Sequence, residues 1–176
     1  LALLFIAMGL GGRWLDREAW RKQGWILRQA GRSPTDFVDQ AGMGPTLLNM
    51  GLTGALGTAY VLAVGSDLNG PTLGAIFTIV GFSAFGKHPR NIVPIMLGVF
   101  IASMLKDWSA DDPSAVLAAL FGTTLAPIAG RFGWRWGIVA GFVHSSVAQT
   151  VGQLHGGLVL YNNGFAAGLV AAILVP

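Results

Sequence analysis

From Thr46 onward the chain alternates apolar runs with short polar breaks. Thr46–Val64 is long enough for a full membrane crossing, and runs at Pro71–Phe85, Ile92–Leu105, Ser114–Ile128, Trp136–Gly152 and Phe165–Pro176 follow it. Several are shorter than the roughly 20 residues of a straight crossing. Short segments interrupted by Gly or Pro are what transporters use for broken or re-entrant helices beside a substrate site. Residues 1–10 form another apolar run, read as the tail of a first membrane helix. Residues 11–45 are the one long polar stretch, with Trp14, Trp20 and Trp25 interleaved among Arg13, Arg17, Arg21, Lys22, Arg28 and Arg32. That mixture suits a helix lying in the membrane interface, rings at headgroup depth and cations on anionic lipid. Within it, Ser33-Pro34-Thr35-Asp36 reads as a cap and first turn that start a short helix through Phe37 and Val38. Residues 46–176 then form a membrane domain of about six short transmembrane segments. The chain starts inside one apolar run and ends inside another, as expected of part of a longer polypeptide.

Composition agrees with a bilayer as the solvent. Hydrophobic residues make up 53% of the chain and charged residues 11%, against about 25% charged in an ordinary soluble domain. After Arg135 there is no Asp, Glu, Lys or Arg. There is no cysteine, which removes disulfides, thiolate metal sites and a cysteine nucleophile. A net charge of +3 and a sequence pI of about 9.8 would suit nucleic acid, but the basic residues fall in short loops, where topology explains them better. Taking the apolar runs as crossings puts every Lys and Arg except Lys106 on one side, which is then cytoplasmic by the positive-inside rule. The other side holds Asp67, Asp107, Asp111 and Asp112.

An Asn-Gly echo links the two ends of this domain. Asn49-Met50-Gly51 and Asn162-Asn163-Gly164 each precede small and apolar residues. Both read as a capped helix start, whose free N–H groups and partial positive charge suit electronegative ligand atoms. Five crossings separate them, and an odd number makes the halves an inverted repeat. Polar side chains on the run from Trp136, namely His144, Ser145, Ser146, Gln149, Thr150 and Gln153, with His155 beyond, either tie helices together or line a polar path toward Asn162 and Asn163. Gly133, Gly137 and Gly141, spaced by four, read as a surface where a neighbouring helix packs close. In Gly86-Lys87-His88-Pro89-Arg90-Asn91, two cations and a His could hold an anion or a lipid phosphate.

Enzyme signatures are missing. The chain has no HExxH, no GxSxG, no Walker or dinucleotide fingerprint, and no acid within an apolar run. No enzymatic activity, metal or cofactor is expected.

The runs GFSAFGKHPRNIVPIMLGV at Gly81–Val99 and LHGGLVLYNNGFAAGLVA at Leu154–Ala171 resemble a prokaryotic membrane family known only as domain of unknown function 1576. More distantly, LYNNGFAAGL is similar to the helix start of urea transporters. That resemblance implies two inverted repeats of five helices around a narrow pore, and a homo-oligomer. The chain departs from those transporters in lacking a membrane-embedded acid, and Asn69-Gly70-Pro71 is only a loose version of their Asn-Pro motif.

The expectation is therefore an all-α integral membrane protein: a polytopic helical bundle of the bacterial inner membrane, with short or re-entrant helices and a urea-transporter-like inverted repeat. It would be a channel or transporter for a small polar solute, neutral and amide-like or a small anion. Asn49, His144, Gln149, Asn162 and Asn163 would line the path, and Lys87, His88 and Arg90 would hold an anion or lipid. Its partners would be membrane lipids and the solute, not nucleic acid. The alternative is a non-transporting scaffold or lipid-binding protein.

Overall fold

The computed structural model describes residues 1–33, 35–154 and 162–175, and among these every regular element is a helix. α1 (Ala2–Leu15), α2 (Ala19–Ile26) and the short α3 (Phe37–Ala41) lead into α4 (Met43–Ala63), α5 (Gly70–Phe82) and α6 (Pro89–Leu105). α7 (Pro113–Gly122) passes through a 3-10 turn, Thr123–Leu125, into α8 (Ala126–Phe132); α9 (Trp134–Leu154) and α10 (Asn162–Leu174) complete the order. Each apolar run read from the sequence is a helix, with α7 and α8 sharing one run. Met43–Ala63 and the combined Pro113–Phe132 are long and apolar enough to cross a membrane by length and composition; α1, α5, α6 and α10 are apolar but shorter. α9 has 21 residues but is diluted by His144, Ser145, Ser146, Gln149 and Thr150.

Two close helix pairs, α1 with α4 and α6 with α9, frame the bundle, and α7 packs between α5, α6, α9 and α10. Glycine makes both approaches possible. A Cβ at Gly51 would stand 2.6 Å from the Phe5 carbonyl oxygen, and one at Gly98 or Gly141 would fall on the carbonyl of Ile138 or Ile95. Gly137 packs its α-carbon against Pro94 and Ala129, so of the three glycines spaced by four, Gly137 and Gly141 form the expected packing surface. Gly133 does something else. It ends α8 at φ 96° and ψ 167°, as Gly42 ends α3 at φ 96° and ψ 164°, and each is followed at once by a 21-residue helix. A side chain is strained in that backbone region, so glycine is the natural residue at both corners.

This geometry corrects the Asn-Gly echo. α4 starts at Met43, with Pro45 inside its first turn, so Asn49 lies well within the helix rather than at its start. Among the described residues α10 runs from Asn162, and Asn69 caps α5 in a capping box with Thr72. α4 and α9 both have 21 residues. α4 runs beside α6 in the same direction, Asn49 meeting Lys87 at one end and Tyr60 facing Met96 and Leu97 further on. α9 also runs with α6, from Gly137 at Pro94 to Ala148 beside Val99. α4 and α9 thus point the same way, and Asn49, inside α4, is not the helix start that the Asn-Gly echo took it for. The short helix after residue 34 is capped by Asp36, whose Oδ1 accepts from Val38 and Asp39, and not by Ser33.

The three basic segments assigned to one side do meet at one end. The Phe37 N–H donates to the Ala84 carbonyl at 2.8 Å, the Gln29 carbonyl meets the His88 ring at 2.9 Å, and Gly31 and Gly130 pack on the backbones of Gly86 and Ala30. Trp14, Trp20, Trp25, Trp134 and Trp136 are exposed around this end.

Gly141→Val should destabilise the fold by about 1–3 kcal/mol, because the added atoms have a carbonyl to displace. Gly168→Ala, with nothing within 4 Å of the new Cβ, should be neutral or stabilising through helix propensity of up to about 1 kcal/mol. Thermal melts in detergent check the pair; equal effects would mean the α6–α9 contact is not as close as described.

Candidate functional site

Polar side chains inside this apolar bundle need partners, because an unpaired buried polar group costs about 1–3 kcal/mol. Asn49 finds three. Its Oδ1 accepts from Gln23 Nε2 of α2 at 2.9 Å, and its Nδ2 donates to the carbonyls of Ser83 and Lys87, both at 2.8 Å. Beside it the Ser83 and Thr53 hydroxyls pair at 2.7 Å. Asn49 is therefore a clasp that pins α2 and the α5–α6 link to α4, and it is fully buried.

The link it holds presents Lys87. This side chain is 9% exposed and has no acidic partner; the ion pairs among the described residues are Arg21–Glu18 and Lys22–Asp16, both elsewhere. Its Nζ donates to Thr123 Oγ1 at 2.8 Å, and that hydroxyl donates onward to the Leu120 carbonyl at 2.6 Å. The Phe82 ring lies 5.3 Å from the ammonium. Thr123 caps the C-terminus of α7, so the ammonium meets the negative end of a helix dipole. These contacts offset burial only in part: burial lowers the Lys87 pKa to about 8.

His144, fully buried on α9, has its ring against the α-carbon of Gly122, the residue before Thr123. The imidazole faces the Asn163 side chain and the Ala118 backbone without closing a well-formed hydrogen bond to either. The Ser145 hydroxyl, fully buried, and the side-chain oxygens of Asn162 and Asn163 are likewise unpartnered. Of the residues expected to line a path, His144 lies close to Asn163. Gln149 does not join them. It donates to Ser114 at 3.0 Å and ties α9 to α7.

The expected trio of Lys87, His88 and Arg90 is divided. Lys87 turns inward, whereas Arg90 is exposed. His88 is buried, and desolvation, helped by the nearby Arg90 charge, holds its pKa below the usual value against the opposing bond to Gln29. A neutral ring that donates from Nε2 to the Gln29 carbonyl fits that environment. Arg90 and His88 instead line a surface cavity of about 180 Å³ with Arg28, Gln29, Asn91 and Trp134. A larger groove of about 390 Å³ between α4 and α6 is walled by Leu56, Val93, Met96, Leu97 and Phe100, away from these polar groups.

The sequence reading missed Gln23, Ser83 and Thr123. Gln23 had a detectable signal: it shares the buried stripe of α2 with Ala19 and Ile26, where a polar residue implies a buried partner. Thr123 sits in an unbroken apolar run, and only the 3-10 turn reveals it as a break.

Chain similarity adds a family and no chemistry. The chain belongs to the family described as protein of unknown function DUF1576, whose model matches residues 15–176. Neither a curated protein nor a solved structure matches it, so the likeness to urea transporters finds no counterpart there.

Two outcomes test this geometry. Asn49→Ala strands one amide and two carbonyls, and should cost about 3 kcal/mol while raising hydrogen exchange along the α5–α6 link; unchanged exchange would rule out the clasp. For Lys87, the unfolded chain keeps its proton to the ordinary lysine value of 10.5 while the native state releases it near 8. The unfolded state binds more protons in that window, so stability should rise with pH from about 8 to 10.5, by up to about 3 kcal/mol. Denaturant melts should show the extra slope in the native chain and not in Lys87→Met.

Proposed function

We propose that this family member is a multi-pass protein of the bacterial inner membrane that passes or carries a small polar solute. The observation that carries this reading is a set of polar groups inside the bundle where α7 passes through a 3-10 turn into α8: Lys87 bonded to Thr123, and the buried His144 packed on the neighbouring Gly122. Buried polar groups with no partner are expensive in an apolar bundle, and ionisable ones at membrane depth serve function by default. Helices that break next to such groups are how transporters expose backbone and hydroxyl ligands to a solute.

The membrane itself is supported by what faces outward. Phe77, Phe82, Phe85, Leu97, Met104, Phe165 and Ile173 are exposed, a surface that lipid covers at no cost and water does not. The end that carries Arg28, Arg90, Arg131, Arg135 and the exposed tryptophans is then cytoplasmic.

A second reading, a non-transporting lipid-binding scaffold, is favoured by the cavity between Arg28, His88, Arg90 and Trp134, whose charge suits a phospholipid headgroup. Stopped-flow light scattering on proteoliposomes of the full protein separates the two. Solute-selective re-swelling with urea, formamide, glycerol or formate, reduced tenfold or more by His144→Ala or Asn163→Ala, is the expected result. Flux no greater than in protein-free vesicles for all four solutes would leave the scaffold as the better account.

A further inference from the structure

Deepening the lipid-binding reading above, on which it rests, we propose that the cavity between the end of α2, the start of α6 and the corner from α8 to α9 binds a phosphate group, that of an anionic phospholipid, with Arg28 and Arg90 as its ligands. The cavity has a volume of about 180 Å³ and draws its walls from three segments, around Arg28, Arg90 and Trp134. Pockets that take whole small molecules start at roughly 300 Å³, so this one has room for a headgroup phosphate and not for a nucleotide. Charge fixes the sign of the occupant. Among the described residues no Asp or Glu lines the cavity, and the ion pairs, Arg21–Glu18 and Lys22–Asp16, use neither of its arginines. Each guanidinium presents a planar fork that matches two phosphate oxygens.

The backbone adds to these two charges. α6 begins at Pro89 and α9 at Trp134, and both starts lie on the cavity wall, one through His88 and Arg90, the other through Gly133 and Trp134. Because α6 and α9 run in the same direction, their positive ends stand together here. Other polar side chains of the wall are engaged: His88 with the Gln29 carbonyl at 2.9 Å, Gln29 Nε2 with the Trp25 carbonyl at 3.1 Å, and Asn91 with the Gly86 carbonyl and the His88 N–H, both at 2.9 Å. The two guanidinium groups are left as the charged donors for a ligand. Where the cavity sits points to lipid as the source of the phosphate. Trp25, Trp134 and Trp136 are exposed at this end, as in the aromatic girdle at headgroup depth. A choline or ethanolamine headgroup would bring its own cation against two guanidinium groups, so the fitting lipid is acidic. Bound there, one phosphate joins the tail of α2 to the α6–α9 pair and stabilises the fold by mass action.

The full protein in a neutral detergent is melted with added phosphatidylglycerol, phosphatidic acid or phosphatidylcholine, and separately with sodium phosphate against sodium chloride of equal ionic strength. The two acidic lipids should raise the melting temperature by several degrees, and phosphatidylcholine should not. Arg28→Gln combined with Arg90→Gln should abolish the rise. Arg28→Lys combined with Arg90→Lys, which keeps the charge and loses the fork, should retain only part of it. A second basic cavity, lined by Arg32 and Arg131, supplies the charge-matched control: Arg32→Gln combined with Arg131→Gln should leave the rise intact. All four arginines are exposed, so these variants should fold, and their melting without lipid checks that they do. If sodium phosphate acts through Arg28 and Arg90 while the lipids do not, the phosphate site stands with free phosphate as its occupant. If the acidic lipids act equally on both glutamine double variants, lipid binding stands and this site is wrong. If neither lipid nor phosphate shifts the melting of a monodisperse, folded sample, the site and the lipid-binding reading fall together.

Discussion

Every polar group placed inside an apolar helical bundle has to be answered from within, and Asn49 does most of the answering. One amide side chain receives the Gln23 Nε2 and donates to two carbonyls of the α5–α6 link. A link of non-helical backbone at a helix-packed depth exposes carbonyls that its own hydrogen bonds do not use, and these cost free energy unless paired. Asn49 pairs two of them. Asn91 takes a third, its Nδ2 donating to Gly86 while its Oδ1 receives the His88 N–H. The link is thereby fixed on both sides, and the direction of Lys87 follows from that fixing.

The close helix pairs are a separate requirement with the same purpose. Glycine at the crossing points brings α1 to α4 and α6 to α9 at backbone distance. In the membrane setting proposed above, helix association gains little from hydrophobicity, so packing area and interhelical polar contacts have to supply it. The Gln149–Ser114 bond between α9 and α7 is one such contact. The glycines at Gly42 and Gly133 serve differently: each turns the chain from a short helix directly into a long one, without a spacer.

How much of this could be read from the chain depended on whether the signal was local. Helix positions were legible because polar breaks interrupt apolar runs, and the α6–α9 contact was legible in part because Gly137 and Gly141 recur at helical spacing. The start of α4 was not, because Gly42, Gly44 and Pro45 look like a loop. Proline in a first turn gives up an N–H that has no intrahelical partner anyway, so the helix begins before it and Asn49 becomes an interior residue. The grouping of Lys87 with Arg90 failed for a related reason. They are three residues apart, but His88 and Pro89 lie at the turn from link to helix, and the two side chains leave it in opposite senses, one into the bundle and one to its surface. Thr123 and Gln23 matter only through partners tens of positions away, which no local pattern encodes.

The turn at Thr123 is where these constraints converge. From Pro113 to Phe132 the chain stays helical but tightens at Thr123 into a 3-10 turn, in which the Thr123 N–H reaches back to the Leu120 carbonyl. The Thr123 hydroxyl both receives the ammonium and returns a hydrogen bond to the same carbonyl. The same turn brings Gly122 against His144, where any side chain would collide with the ring. One irregular turn therefore meets the lysine on one side and the histidine on the other. A bundle selected for stability alone would be better served by an unbroken helix and an apolar residue at position 87, since replacing buried charge by well-packed apolar groups is often neutral or stabilising. The chain nonetheless keeps a buried charge at Lys87, a 3-10 turn at Thr123 and, among the described residues, unpartnered polar atoms on His144 and Ser145, and these features are the physical ground of the proposed solute path.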